Sequence, residues 1–152
     1  MFYRPMKSIW ELIPRPIISV AGLINVFLRK HRHSQRAGGM PIGADGKHIP
    51  WLTYPAIEFL DGLDFTGKSI FEFGGGGSTL FWARRARDVT TVELDPSWAE
   101  HLQRIAPPNV SVLHETNGHS YAETPKTLAR NFDVIVVDGA ERYRSTQAAL
   151  HQ

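Results

Sequence analysis

The sequence predicts an α/β protein: a parallel β-sheet with helices on both faces. Apolar segments of strand length alternate with helix-like segments, and four consecutive glycines join one such strand to one such helix. The last strand contains the unbroken apolar run Val134–Val137, which is typical of a parallel strand covered on both faces. Strands that alternate with helices imply right-handed crossovers, so we expect a doubly wound sheet.

Length and composition indicate one globular domain preceded by a basic arm. The 152 residues are 42% hydrophobic and 21% charged, which excludes an intrinsically disordered chain. The chain has no cysteine, so disulfides, thiolate metal sites and cysteine nucleophiles are excluded. Residues 1–36 hold seven Lys or Arg residues against one acid, Glu11, whereas the remainder is net negative. We therefore divide the chain into an arm and linker, residues 1–46, and an α/β domain, residues 47–152.

The arm contains an uncharged apolar run, residues 16–28, which is shorter than the roughly 20 residues that span a bilayer. Arg29, Lys30 and Arg32 follow it without a small-residue cleavage site, so we do not expect secretion. A helix packed on the domain or on a partner is one interpretation. A peripheral membrane contact through residues 9–32 in a cytoplasmic protein is another, and a poorly ordered arm is the third.

The linker and the domain have local signals for each element. His31 and His33 lie in the linker without further ligands at useful spacing, so we assign no metal site. Thr53 and Pro55 predict the start of a helix before the first strand. The elements expected after it are a strand over 69–73, a helix over 78–86 capped by Ser78 or Thr79, a strand over 89–94, a helix opened by Asp95 and Pro96 with Trp98, Leu102 and Ile105 on one face, a strand over 110–113, a polar loop over 115–123, at most a short helix over 125–129, and a strand over 132–137.

The segment that carries candidate chemistry is the turn after the first strand of the domain. Glu72 lies near the end of that strand and is followed by four glycines, residues 74–77, and a helix start. Glycines let a ligand lie against the backbone, and the helix contributes N–H donors. The Glu72 carboxylate would repel the pyrophosphate of a dinucleotide but attract the ammonium and sulfonium groups of S-adenosylmethionine.

The glycine spacing and a second acid favour the same ligand. A G-x-G-x-x-G frame would need glycine at Thr79 or at Leu80, so the dinucleotide pattern fails in both frames. Glu93 ends the next strand, 21 residues after Glu72, where a Rossmann arrangement brings a carboxylate to ribose hydroxyls. We therefore expect the two acids to bracket the ligand.

The stretch IFEFGGGGSTLFWA, residues 70–83, resembles the first motif of the class I S-adenosylmethionine-dependent methyltransferases, an acid, one residue and then G-x-G. It looks closest to bacterial members with an E-x-G-x-G-x-S-T signature. The resemblance implies a Rossmann-like fold in which S-adenosylmethionine is the cofactor. It places Glu72, Gly74, Gly75 and Gly76 at the methionine end of that cofactor, Glu93 on its ribose and, by location, Glu115, Thr116 or Asn117 near its adenine.

By the same resemblance, Asp138 at the end of the fourth strand faces the transferable methyl group, and we assign it as the catalytic residue that accepts a proton or orients the acceptor. The expected reaction is methyl transfer to an oxygen or nitrogen of a small molecule or sugar. We do not expect a nucleic-acid partner, because the basic residues cluster outside the net negative domain.

The sheet of this family normally continues beyond the fourth strand, whereas this sequence ends there, so we expect a fold truncated after that strand. Its apolar outer edge would then be exposed, which predicts a homo-oligomer that covers it. The alternatives are a non-catalytic cofactor-binding or membrane-associated remnant and an NAD- or nucleotide-sugar-dependent Rossmann enzyme.

Overall fold

The computed structural model describes residues 14–25 and 36–151. Four parallel strands form the central sheet, and helices alternate with these strands in the sequence. The elements are α1 (Arg15–Asn25), β1 (Arg36–Ala37), β2 (Met40–Pro41), α2 (Tyr54–Asp61), β3 (Ser69–Phe73), α3 (Gly77–Ala83), β4 (Asp88–Glu93), α4 (Pro96–Ile105), β5 (Val110–His114), α5 (Gly118–Thr127), β6 (Val134–Val137) and α6 (Arg142–Ala149). The predicted Rossmann-like α/β fold is confirmed.

The order of the strands in the sheet is β5-β4-β3-β6. β3 pairs in parallel with β4 on one side and with β6 on the other, and β4 pairs in parallel with β5. The chain therefore builds the sheet outward in one direction from β3 and then returns to place β6 on the opposite side. In an open parallel sheet such a reversal leaves a crevice at the carboxyl ends of the strands, where ligands bind.

The core lies on both faces of the sheet because side chains alternate along β3. Ile70 belongs to one apolar cluster, which Phe81 and Trp82 of α3 complete. Phe71 and Phe73 belong to the other, together with Tyr121 of α5. Every residue of β3 is buried, so the strand fixes the position of the loop that follows it.

Two helices differ from their predicted bounds. α3 begins at Gly77 and ends at Ala83, and its N-cap is Gly76 in place of Ser78 or Thr79. The polar loop predicted over 115–123 is wrong, because α5 runs through that segment from Gly118. The side chain of Asn117 accepts hydrogen bonds from the backbone N–H groups of His119 and Ser120 in the first turn of this helix. Capping and burial of one face thus override a locally polar sequence.

The start of α4 agrees with its sequence signals. The side chain of Asp95 accepts a hydrogen bond from Trp98 N at 2.9 Å, and Pro96 occupies the first turn. Leu102 is fully buried, whereas Ile105 at the end of the helix is exposed. The apolar face predicted for Trp98, Leu102 and Ile105 therefore ends at Leu102.

The segment interpreted as a linker packs against the start of α3 in its second half. β1 and β2 form a small antiparallel pair, and Met40 of β2 is buried. The Cβ that a side chain at Gly77 would carry lies 2.6 Å from the carbonyl oxygen of Ile49. Residues 40–49 thus lie directly against the start of α3.

α1 exposes its apolar side chains, among them Ile17, Leu23 and Ile24. Within residues 14–25 and 36–151, no helix has the length and apolarity to cross a membrane. Much of the predicted membrane contact, residues 9–32, and both linker histidines, His31 and His33, lie outside the described residues. In the described part of the chain β6 has no second neighbour, and self-association through that edge stays a prediction.

Candidate functional site

A cavity of about 420 Å³ opens at the carboxyl ends of β3, β4 and β6. Its volume falls within the usual range for small-molecule and cofactor sites. We call it the first cavity, and its lining residues are Gly39, Met40, Pro41, Trp51, Gly74, Gly75, Gly76, Gly77, Ser78, Glu93, Trp98, Asp138 and Gly139. The structure therefore brings together the glycine turn, Glu93 and Asp138, which lie far apart in the sequence.

The base of the first cavity is a close approach between two backbone segments. Gly74 has a φ of +83°, and a Cβ there would lie 2.5 Å from the Cα of Gly139. A side chain at Gly139 would collide in turn with the hydroxyl of Tyr121. Only glycine fits at both positions, so bare backbone from the ends of β3 and β6 forms the base of the first cavity.

Gly76 faces the open space of the first cavity. A Cβ added at this position meets no protein atom within 4 Å, and its φ of 173° is extended backbone that any residue adopts. The Gly76 N–H donates to the hydroxyl of Thr79 at 2.8 Å. A side chain here would therefore occupy the cavity without straining the turn.

Glu93 ends β4 and lines the first cavity. Its Oε1 accepts hydrogen bonds from Leu94 N at 2.8 Å and Asp95 N at 3.0 Å, and its Oε2 accepts one from Gly75 N at 3.3 Å. An ionised carboxylate has about four acceptor positions, so one remains for a ligand hydroxyl. The same bonds hold the loop after β4 against the glycine turn.

Trp98 lines the first cavity, a role that its sequence pattern did not indicate. Its Nε1 donates to the carbonyl oxygen of Gly75 at 2.8 Å, and its ring stacks on His101 at 5.1 Å between centroids. The apolar period of α4 predicted a core position for it. Its place in the first turn of α4, three residues after the capping acid Asp95 at the carboxyl end of β4, is the signal that could have found it.

Glu72 lies behind the glycine turn and does not line the first cavity. Its side chain is 0% exposed, and its Oε2 accepts a hydrogen bond from the Thr79 hydroxyl. Burial raises the pKa of Glu72 to about 7, against the hydroxyls of Ser78 and Thr79, which lower it. The predicted contact of Glu72 with the methionine end of a cofactor stays a prediction.

Asp138 lines the first cavity where β6 ends, and its side chain is partly exposed. Its Oδ1 accepts a hydrogen bond from Arg142 Nη2 at 3.1 Å, and its backbone N donates to Phe73 O at 3.2 Å. The backbone bond fixes its Cα beside the end of β3. One carboxylate oxygen is thus held by a cation, and the other can meet a molecule in the cavity.

The residues predicted to lie near the adenine differ from Glu93 and Asp138 in their position relative to the first cavity. None of Glu115, Thr116 and Asn117 is among the described residues that line the first cavity, and Asn117 caps α5. The described residues contain no group of three or more side chains suited to hold a metal ion.

Comparison with known proteins gives two partial matches, and no family model matches the chain. Both relatives are named "Probable ribosomal RNA small subunit methyltransferase A", one from Pyrobaculum aerophilum and one from Pyrobaculum islandicum. The chain is 38% identical to the first over 66 residues, which are 41% of this chain and 29% of the relative. It is 40% identical to the second over 58 residues, 37% of this chain and 25% of the relative. The chain thus spans less than a third of the curated relatives it matches.

These relatives support the coarser part of the sequence resemblance, similarity to methyltransferases, and favour neither alternative. The E-x-G-x-G-x-S-T subgroup and the truncated fold stay predictions. The predicted partner, a small-molecule or sugar acceptor without nucleic acid, is wrong, because both relatives are named for ribosomal RNA. The argument failed because it used the net charge of the whole domain, whereas contact with nucleic acid depends on the local charge of the surface that meets it.

Proposed function

We propose that this protein is an S-adenosylmethionine-dependent methyltransferase whose acceptor is RNA. The observation that carries the proposal is the first cavity, which joins the bare backbone of Gly74–Gly76 to the carboxylate of Glu93 at the reversal point of a parallel sheet. Its size suits a nucleoside cofactor, and its glycine turn leaves room for one, as the open space beside Gly76 indicates.

When bound, S-adenosylmethionine supplies a methyl group already activated by its sulfonium, so the protein mainly binds and aligns the reactants. Gly74–Gly76 would hold the methionine end against backbone. The remaining acceptor position on Glu93 would take a hydrogen bond from a ribose hydroxyl. The three backbone N–H groups that donate to the Glu93 carboxylate set its position before any ligand arrives.

Glu72 has an indirect part in this proposal. Its buried carboxylate anchors Thr79, whose hydroxyl in turn accepts the N–H of Gly76. Its negative charge, when ionised, favours a cationic ligand group in front of the turn. Glu72 thus positions the glycine turn through Thr79. This role does not require Glu72 to contact the ligand.

Asp138 is the candidate catalytic residue. It stands at the end of β6 on the wall of the first cavity, with Arg142 on Oδ1. Its free oxygen would accept a hydrogen bond from the amino or hydroxyl group to be methylated and orient that group toward the methyl. Arg142 would hold the carboxylate in place in this role.

RNA is the proposed acceptor because both relatives are named for ribosomal RNA. The seven Lys and Arg residues among residues 1–36 are suited to phosphate contacts, which carry most of the affinity in nucleic-acid binding. The basic arm is therefore proposed to meet the RNA backbone while the domain holds the cofactor.

Calorimetry and a transfer assay test the proposal. The full chain should bind S-adenosylhomocysteine and show no heat with NAD. Incubated with tritiated S-adenosylmethionine and purified ribosomal RNA, it should label the RNA, and ribonuclease should release that label. Binding of NAD without any response to the sulfur ligand would contradict the cofactor assignment. Sulfur-ligand binding without label in RNA would contradict the acceptor.

A further inference from the structure

A second cavity of about 540 Å³ lies beside the first. We call it the second cavity, and it is lined by Arg36, Pro41, Ile42, Ile49, Pro50, Trp51, Leu52, Thr53, Tyr54 and Pro55. Pro41 and Trp51 line both cavities. A molecule in the second cavity therefore lies next to whatever occupies the first.

Trp51 is the conspicuous residue of this wall, because its side chain is 72% exposed although tryptophan is usually covered. The guanidinium carbon of Arg36 lies 4.9 Å from the centre of its ring. Such a cation–π contact holds the indole in one orientation and places a positive charge over one face of the ring, which leaves the opposite face for a ligand. An exposed, oriented ring beside a cation is suited to stack a flat ligand that carries negative charge.

The rest of the wall restricts the ligand further. Ile42, Ile49 and Leu52 give the second cavity an apolar surface, and Leu52 is itself exposed. Among the described residues that line it, Arg36 is charged and none is acidic. Apolar walls suit an unpaired base, and the single cation suits one phosphate. A paired duplex would present neither base face to Trp51.

We propose that the second cavity holds one unpaired nucleotide of the RNA acceptor, with its base stacked on Trp51 and its phosphate near Arg36. This proposal rests on the proposed function and adds to it the form of the RNA, a single-stranded segment. Loops and ends of RNA present such bases, which proteins bind by stacking on aromatic rings. The shared wall at Pro41 and Trp51 brings that nucleotide beside the first cavity.

Fluorescence anisotropy with a labelled ten-nucleotide single-stranded RNA of mixed sequence tests the stacking. Trp51→Ala should weaken binding by about tenfold or more, the effect expected for loss of one stacked base. Trp51→Phe should restore most of the affinity because it keeps a ring. Phe59→Ala is the matched control, since Phe59 is also an exposed aromatic, 66% exposed, and lies outside both cavities.

Two further variants separate this cavity from the first. Leu52→Asp, at a position that lines the second cavity alone, should weaken RNA binding and leave the affinity for S-adenosylhomocysteine within about twofold, because it adds a negative charge where the base and phosphate lie. Arg36→Gln should reduce the slope of log Kd against log salt concentration by about one, the change expected when one phosphate contact is lost.

The outcomes distinguish this inference from the proposed function. The nucleotide site is overturned if wild-type protein does not bind the single-stranded RNA. It is also overturned if Trp51→Ala and Leu52→Asp bind that RNA as tightly as wild type does. Loss of RNA binding in those variants, with no binding of S-adenosylhomocysteine by wild-type protein, supports the nucleotide site and overturns the methyltransferase. Methylation of RNA with an unchanged KM in Trp51→Ala overturns the nucleotide site alone.

Discussion

Thr79 connects the buried carboxylate of Glu72 to the backbone of the glycine turn. Its hydroxyl donates to Glu72 Oε2 and accepts from Gly76 N at 2.8 Å. Both side chains are buried, at 1% and 0% exposure, so water cannot replace the bond between them. Since Gly76 lines the first cavity, the shape of that wall depends on Glu72, which is connected to Gly76 by two hydrogen bonds through Thr79.

Replacing Thr79 by alanine should destabilise the protein and weaken its proposed cofactor site. The variant leaves the Gly76 N–H and the Glu72 carboxylate without their shared partner, which costs about 1–3 kcal/mol for a buried polar group. Urea unfolding measures the loss, and calorimetry with S-adenosylhomocysteine measures the effect on the site. Thr79→Ser keeps the hydroxyl and should resemble wild type. If serine and alanine were equally destabilising, the hydroxyl would not be the cause.

Glu72 should make the stability of the protein depend on pH. Burial raises its pKa in the folded state from 4.5 to about 7. Between these values the folded protein keeps a proton that the unfolded chain has released, so the free energy of unfolding falls as pH rises. The fall is on the order of 3 kcal/mol and ends above pH 7, where both states are ionised.

Glu72→Gln provides the comparison, because glutamine stays neutral and can still accept from Thr79. Urea unfolding at pH 5, 6, 7 and 8 should show a fall for wild type that the variant lacks. Glu100→Gln, at an exposed position paired with Arg104, should keep the wild-type slope. Parallel curves for wild type and Glu72→Gln would show that Glu72 does not titrate in this range.

Local sequence was sufficient to predict the four strands of the central sheet and the starts of α2 and α4. β3 has its predicted bounds because its apolar residues are buried on both faces, and α4 starts at the predicted Asp95 and Pro96. The Rossmann arrangement led us to expect the glycine turn and Glu93 at one ligand, and the resemblance to methyltransferases added Asp138; all three line the first cavity.

Contacts distant in sequence account for the rest. α5 is locally polar, and what holds it is Tyr121, which packs on Phe73 of another element at 5.4 Å. Trp51 lines the cavities because the preceding segment folds over the carboxyl edge of the sheet, which no periodic pattern records. The side chain of Glu72 faces the interior because it meets Thr79 there. The position of Thr79 is set by tertiary packing, so the local sequence did not reveal this contact.

A side chain at Gly76 should block the first cavity without unfolding the protein. Gly76→Val places its branches in space that is open in the structure, and the φ of Gly76 lies outside the left-handed region that favours glycine. We expect at least a tenfold loss of S-adenosylhomocysteine affinity by calorimetry, with urea unfolding changed by less than about 1 kcal/mol. Gly22→Val, where the added group also meets no atom, should leave the affinity unchanged. Unchanged affinity in Gly76→Val would exclude this cavity as the cofactor site.

Glu93 should contribute to cofactor binding through a charge-assisted hydrogen bond, and a pair of substitutions separates that role from its hold on the loop. Glu93→Gln keeps Oε1 for Leu94 N and Asp95 N but removes the charge and the acceptor for Gly75 N, so affinity for S-adenosylhomocysteine should fall and the free energy of unfolding should drop by only about 0.5–1.5 kcal/mol. Glu93→Ala also frees the loop and should lose about 1.5–3 kcal/mol of binding, the range for hydrogen bonds to a charged group. Calorimetry gives the affinities, and urea unfolding shows whether the variants remain folded. Wild-type affinity in a folded Glu93→Ala protein would show that the ribose is held elsewhere.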